Sequence, residues 1–139
     1  REDGKRPDGL SLSPWLNGRC LVWDFTCPDT LAPSHLNMAV SGPGAVASEA
    51  EARKRLKYAS LSALYSFVPV AVETLGALGE DATEFFHQLG RRIAMVTGEK
   101  RSTDFLLQRL SVAIQRGNAA AVLGTIDSTA DNLDAIFYL

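Results

Sequence analysis

Two hydrophobic periodicities alternate along the chain. Over residues 8–14, Leu10 and Leu12 stand two apart, the spacing that puts both on one face of a β-strand. Asn17-Gly18 follows, a pair that tolerates positive φ and marks a tight turn. Residues 20–26, CLVWDFT, form a nearly continuous apolar run, which predicts a strand buried on both faces. Two strands about such a turn predict a β-hairpin. Residues 28–44 carry Pro28, Pro33, Pro43, Gly42 and Gly44, so a loop is expected there, with a short helical turn near 34–39. Helical spacing begins at Ala45 and runs to about Leu64, with Ala47, Ala50, Lys54, Lys57, Tyr58 and Leu61 on one face. Glu49 with Arg53, and Glu51 with Arg55, form favourable i,i+4 pairs on that helix.

Residues 67–75, FVPVAVETL, predict a third strand, and Pro69 marks it as an edge strand or a strand start. Gly76 and Gly79 end it. A second helix is predicted over 80–97, with Ala82, Phe85, Phe86, Leu89, Ile93 and Val96 on its apolar face and Gly98 as its stop. A third runs from about Thr103 to Arg116, with Ser102 as N-cap and Gly117-Asn118 as terminator. Residues 119–125 fit a short helix or a strand, and 126–139 a further C-terminal helix. The order hairpin, helix, strand, helix, helix predicts an α/β domain whose mixed β-sheet is flanked by helices.

Bulk properties narrow the class. A length of 139 residues suits a single domain with one hydrophobic core, and 46% hydrophobic with 22% charged residues is ordinary for a globular protein. No run of eighteen apolar residues occurs, so no membrane span is expected. The chain opens on Arg1 with no signal peptide and reads as a fragment of a longer polypeptide. A net charge of −2 does not mark a dedicated nucleic-acid-binding domain. It is compatible with an enzyme whose acidic metal ligands offset local basic residues. Cys20 and Cys27 are expected to be buried free thiols in a reducing compartment. His35 and His87 stand at spacings that do not complete a zinc site, and His87 is given no role.

Asp24 draws attention because it interrupts the apolar run between Trp23 and Phe25. An ionised carboxylate there is costly unless a salt bridge, a proton or a metal ion compensates it. Asp8, after Pro7, begins the first hairpin strand, so the hairpin brings Asp8 and the end of the second strand to the same end of the ribbon. Two converging carboxylates repel unless a cation lies between them, and hard oxygen ligands favour Mg2+. Lys54 falls on the small, apolar face of the first long helix and needs an anionic partner. Two acids, a metal ion and a lysine suit phosphodiester hydrolysis. The plainer alternatives are a turn residue for Asp8, a structural ion pair for Asp24, and a solvated or snorkelling helix face for Lys54 and Lys57.

Lys5-Arg6-Pro7-Asp8, then Leu21-Val22-Trp23-Asp24-Phe25-Thr26, then Lys54-Arg55-Leu56-Lys57-Tyr58, resemble the restriction-enzyme-like endonuclease of non-LTR retrotransposons. That family carries a K/R-P-D motif, a second Asp at a similar interval and a lysine motif close to K-x-x-K-Y. FVPVAVETLG (67–76), HQLGRR (87–92) and QRLSVAIQRGNAAAVLG (108–124) add to the likeness, which spans residues 5–124. The resemblance implies a PD-(D/E)xK, restriction-endonuclease-like core that nicks duplex DNA with Mg2+ or Mn2+. The nick primes reverse transcription by a reverse transcriptase domain on the same polyprotein, beside nucleic-acid-binding domains, in the nucleus. Carried over, Asp8 and Asp24 are metal ligands, with the backbone carbonyl of Phe25 as a third. Lys54 is the catalytic lysine and Lys57 its rival, with Tyr58 and Glu73 as accessory positions. Thr26 stands where the usual class pattern has its lysine, so the lysine must come from the helix. The N-terminal helix that precedes the P-D strand in the class is missing from this chain, as are a zinc knuckle and an Arg-His motif.

Lys5, Arg6, Arg91, Arg92, Arg109 and Arg116 are expected DNA-phosphate contacts, against the default of solvated surface charge. Glu73 either faces the site or lies on the edge-strand surface. Trp15 either wedges against DNA or packs beside the turn. Ser60, Ser62 and Ser111 lack a His/Asp partner, which removes a serine hydrolase. Two alternatives stand beside the nuclease: a non-catalytic DNA-binding or structural remnant of a mobile element with the same fold, and a generic α/β interaction domain. The nuclease requires Asp8 and Asp24 to converge, with a lysine of the 45–64 helix pointing in.

Overall fold

The structure, a computed structural model, describes residues 6–125. Lys5 and the helix expected over 126–139 lie outside the described residues. The chain divides into two compact units, Arg1–His87 and Gln88–Leu139.

In the first unit, strands β1 (Gly9–Leu16) and β2 (Arg19–Thr26) form the expected antiparallel hairpin. Asn17 and Gly18 turn it at φ 49° and 73°. The register pairs Gly9 with Trp23 and Leu10 with Val22, and shifts twice before Leu16 meets Arg19. Strand β3 (Ser66–Ala71) runs parallel to β2, from Leu21 opposite Ser66 to Thr26 opposite Ala71. The sheet is therefore mixed, in the order β1-β2-β3. Because Val72 N–H donates to Thr26 O at 3.1 Å, alternation turns the N positions of Pro69 and Ala71 toward the open edge. Pro69 thus lacks a donor only where no strand would use it, as its edge position predicted.

A parallel neighbour demands a crossover, which helices α1 (Leu36–Ala39) and α2 (Ala45–Lys57) supply. Ala47 and Ala50 of α2 pack on Ala71, small residues that allow close approach to β3. Val22, Tyr58, Leu61 and Phe67 form a second buried cluster. Side chains such as Leu61 and Phe67 each contribute about 1.5–3 kcal/mol on burial.

Several expected boundaries and faces differ. The first long helix stops at Lys57 instead of Leu64, because Tyr58 leaves helical geometry (φ −106°, ψ 19°) and a 3-10 turn, Ala59–Leu61, carries Leu61 into the core. Strand β3 ends at Ala71, not at residue 75. Beyond it the chain reverses tightly: Glu73 N–H donates to Ala77 O and Gly76 N–H to Glu73 O, both at 2.8 Å. The run over 20–26 is buried on both faces only at Leu21 and Val22; further along, Asp24 is buried whereas Phe25 on the other face is 51% exposed. Cys20 is half-buried and Cys27 exposed, so the pair of buried thiols is not realised. Of the two readings for Trp15, packing is the one seen: its ring lies against Phe85, with centroids 5.6 Å apart.

Helix α3 (Glu80–Thr97) matches its expected bounds and continues into the second unit, where Gly98 (φ 75°) ends it. Val96, assigned to the apolar face, is 88% exposed. Helix α4 (Ser102–Leu123) runs straight through Gly117-Asn118 and absorbs residues 119–123. A glycine inside a helix costs about 1 kcal/mol, and the alanines at 119–121 restore propensity beside it. Arg101, not Ser102, occupies the N-cap, while Ser102 Oγ donates to Glu99 O at 2.7 Å. Gly90 of α3 faces Thr103 of α4 so closely that a Cβ would overlap its side chain.

Candidate active site

The sheet's hydrogen-bond alternation places the first carboxylate. Asp8 donates its backbone N–H to Trp23 O at 3.0 Å, just before β1 begins. Thr26 bonds to β3, so the neighbouring Phe25 amide is directed to the opposite, β1 side. There Asp8 Oδ2 accepts the Phe25 N–H at 2.6 Å. The same alternation sends the Phe25 carbonyl out along the edge that carries Asp8.

Asp24 comes from the face of β2 that meets α2 and is only 3% exposed. Ala47, Ala50 and Lys54 of α2, with Tyr58 at its C-cap, are spaced to look toward it. The Lys54 ammonium donates to Asp24 Oδ2. The Tyr58 hydroxyl donates to Asp24 Oδ1 at 2.8 Å and lies 3.2 Å from the Arg6 carbonyl. Tyr58 therefore ties Asp24 to the segment that carries Asp8. Burial pushes the Tyr58 phenol above its ordinary pKa. The Asp24 hydrogen bond and charge push the same way, Lys54 opposes them, and the Asp8 charge adds a further upward push.

Of the two lysines in question, Lys54 meets Asp24. Lys57 is exposed, with its ammonium 4.9 Å from the centre of the Tyr58 ring. Arg6 contributes its carbonyl to the cluster, and its residue is exposed. In the second unit, Arg91 and Arg109 are exposed and Arg92 and Arg116 half-buried.

Glu73 is neither a surface charge nor a member of this cluster. It is 5% exposed, and Oε1 accepts the N–H groups of Val46 at 3.0 Å and Ala47 at 3.3 Å. It closes the N-terminus of α2, where Gly44 (φ 85°) offers no capping side chain. Eight residues of helix, about 12 Å, separate Val46 from Lys54.

Glu51 has a role that sequence reasoning missed. In place of pairing with Arg55, it is 2% exposed and receives three backbone N–H groups. Oε1 accepts Ala71 at 3.3 Å and Ala82 at 2.9 Å, and Oε2 accepts Asp81 at 2.9 Å. The carboxylate thus joins β3 to the positive end of α3. Burial still raises its pKa, outweighing the three N–H donors that lower it. Gly79 is the one local signal, since a Cβ there would occupy the space of this carboxylate. Arg55 turns instead to Asp81, with Nε 2.7 Å from Oδ2. The parallel i,i+4 pair, Arg53 with Glu49, does form, at 3.8 Å.

Among the described residues no group of three or more His, Cys, Asp or Glu side chains gathers as a metal cage. The oxygen donors at the hairpin end include Asp8, Asp24, the Arg6 carbonyl and, by strand alternation, the Phe25 carbonyl. Hard oxygens in that number fit Mg2+, which takes one or two carboxylates and keeps several waters. No buried polar side-chain atom among the described residues lacks a partner. A separate cleft of about 500 Å3 lies at the other end of α2, lined by Gly44, Ser48, Leu78, Glu80, Thr83 and Glu84. Its glutamates suit no phosphate. No helix among the described residues is long and apolar enough to cross a membrane. The chain matches no protein-family model, no curated protein and no solved structure.

Proposed function

We propose that this chain is the catalytic core of a metal-dependent DNA endonuclease with a restriction-endonuclease-like fold, of the kind carried by non-LTR retrotransposons. One observation carries the reading: Lys54, from the helix after the hairpin, reaches the buried Asp24, while Asp8 stands at the same hairpin end on the Phe25 amide. A surface ion pair would not need a carboxylate built into the middle of an apolar strand.

In this reading Asp8, Asp24 and the Phe25 carbonyl hold Mg2+ or Mn2+. The ion, when bound, polarises the phosphate and lowers the pKa of a bound water. Lys54 stabilises charge on the phosphate or orients the attacking water, and Tyr58 fixes the Asp24 carboxylate. Lys57, Arg6, Arg91, Arg92 and Arg109 are proposed phosphate contacts, and Lys5 joins them in sequence. The substrate is duplex DNA, nicked to prime reverse transcription by a partner domain of the same polyprotein in the nucleus.

A second reading, a non-catalytic DNA-binding or structural remnant with the same fold, draws on the completeness of the Asp24 network. Lys54 and Tyr58 together satisfy that carboxylate without a metal ion. Supercoiled plasmid incubated with and without Mg2+ separates the two. Nicking that requires Mg2+ and vanishes in Asp24→Asn supports the nuclease. Absence of nicking, or equal nicking by that variant, removes it.

A further inference from the structure

The Asp24 carboxylate has two occupants, and only one of them can move easily. Oδ1 takes the hydroxyl of Tyr58, which is 1% exposed and held in the core cluster with Val22, Leu61 and Phe67. Oδ2 takes the ammonium of Lys54, whose side chain keeps 24% of its surface exposed at the end of a flexible four-carbon stem. A lysine ammonium in direct contact with Oδ2 fills the volume that a divalent cation, about 2.0–2.1 Å from its ligand, would need. Both also satisfy the same requirement, a positive charge beside a buried carboxylate.

We infer that Lys54 is the resident counter-ion of Asp24 and that it yields Oδ2 when a divalent cation binds. This rests on the reading of Asp8 and Asp24 as metal ligands. Lys54 holds the buried charge neutral while the site is unloaded, so α2 and β2 need no metal to stay packed. Its release on loading leaves the ammonium beside the ion with no carboxylate of its own, available to a phosphate oxygen. Loading and arming of the lysine are then one event. Tyr58 keeps Asp24 in place through the exchange, since it grips the other oxygen and is 3.2 Å from the Arg6 carbonyl. Asp8, exposed and bonded through Oδ2 to the Phe25 N–H, retains Oδ1 as a first point of attachment for an arriving cation.

The test is Mn2+ binding by the full chain, followed by titration calorimetry on wild type, Lys54→Met, Lys54→Gln and Asp24→Asn, with folding checked by circular dichroism. Removing the competing ammonium should tighten Mn2+ roughly tenfold, the scale on which an adjacent opposite charge acts on a carboxylate. Lys54→Gln, which keeps a neutral donor for Oδ2, should shift affinity the same way and serves if the methionine variant does not fold. Asp24→Asn should weaken binding. The Lys54 side-chain ammonium resonance should change on adding Mg2+ to wild type, as its contact with Asp24 is lost. Affinity unchanged or weakened in both lysine variants, or an ammonium still held by Asp24 in the loaded protein, overturns the exchange and leaves the metal site standing. Binding by the lysine variants alone supports it, and no binding by any form overturns the exchange and the metal reading together.

Discussion

The Tyr58 hydroxyl donates to Oδ1 of Asp24 at 2.8 Å, across 34 positions of sequence and inside the core. A neutral phenol is thereby committed to a buried carboxylate. Tyr58→Phe leaves that oxygen without a donor and should cost about 1–3 kcal/mol in urea unfolding. The phenol itself should ionise above its ordinary value of 10.0, first because it is buried and then because Asp24 is adjacent. A raised folded pKa means that its stabilising contribution is present below that value and is lost as pH rises through the folded pKa. Absorbance titration of wild type against Tyr58→Phe reads this directly. A difference spectrum that titrates at or below 10.0 contradicts the placement.

Glu51 makes a pH prediction of the same sign in an acidic range. Its folded pKa is raised above 4.5 by burial, so the folded state holds the proton more tightly than the unfolded chain. Its contribution is fully present below 4.5 and declines as pH rises through the raised value. Wild type should therefore lose stability relative to Glu51→Gln over that rise. Parallel stability curves for the two proteins would count against it.

Two glycine substitutions should fail for different reasons. Gly79→Ala places a methyl in the space of the Glu51 carboxylate and should cost about 1–3 kcal/mol as the α3 connection is pushed apart. Gly18→Ala meets no atom within 4 Å, and its cost comes from φ 73° alone, about 1–2 kcal/mol. Combining Gly79→Ala with Glu51→Ala should relieve most of the first cost and none of the second, as measured by double-mutant cycles.

Arg55 and Asp81 form a partly exposed pair, with side chains 55% and 24% exposed. Arg55→Ala should cost at most about 1 kcal/mol and less at high salt. A salt-independent loss would instead point to packing of the arginine stem.

Lys54 and Lys57 should separate in plasmid nicking under the proposed function. Lys54→Met should lower the rate by roughly a hundredfold or more, the scale for losing a charge that stabilises the transition state. Lys57→Met, removing an ammonium that lies over the Tyr58 ring, should retain most of the rate and lower DNA affinity in a salt-dependent way. Equal losses would assign both lysines to one role.

Much of this framework was legible from local pattern. Asn17-Gly18 specified the hairpin turn, and Pro69 specified an edge, because both act through their own backbone geometry. The isolated Asp24 in an apolar run signalled a buried charge in need of a partner. The helical stripe through Ala47, Ala50, Lys54 and Lys57 narrowed its partner to two lysines, of which Lys54 meets it. Boundaries were less legible. Gly117-Asn118 looked like a terminator, yet α4 passes through it, since one unfavourable residue is outweighed by the alanines around it.

Glu49/Arg53 and Glu51/Arg55 show where local reading stops. The two pairs have the same spacing on the same helix, yet the first forms and the second does not. Spacing sets which side chains share a helix face, and that much resides in the sequence, as do the strands, the turn and the position of each acid. Whether Glu51 pairs with Arg55 depends on what else arrives beside it, and the N-terminus of α3 arrives from about thirty residues away with two N–H groups to satisfy. The same holds for Glu73 at the start of α2 and for the choice of Lys54 over Lys57. Burial makes an unpaired polar group costly, so the partner each carboxylate takes is settled by which donors the packed core leaves unsatisfied.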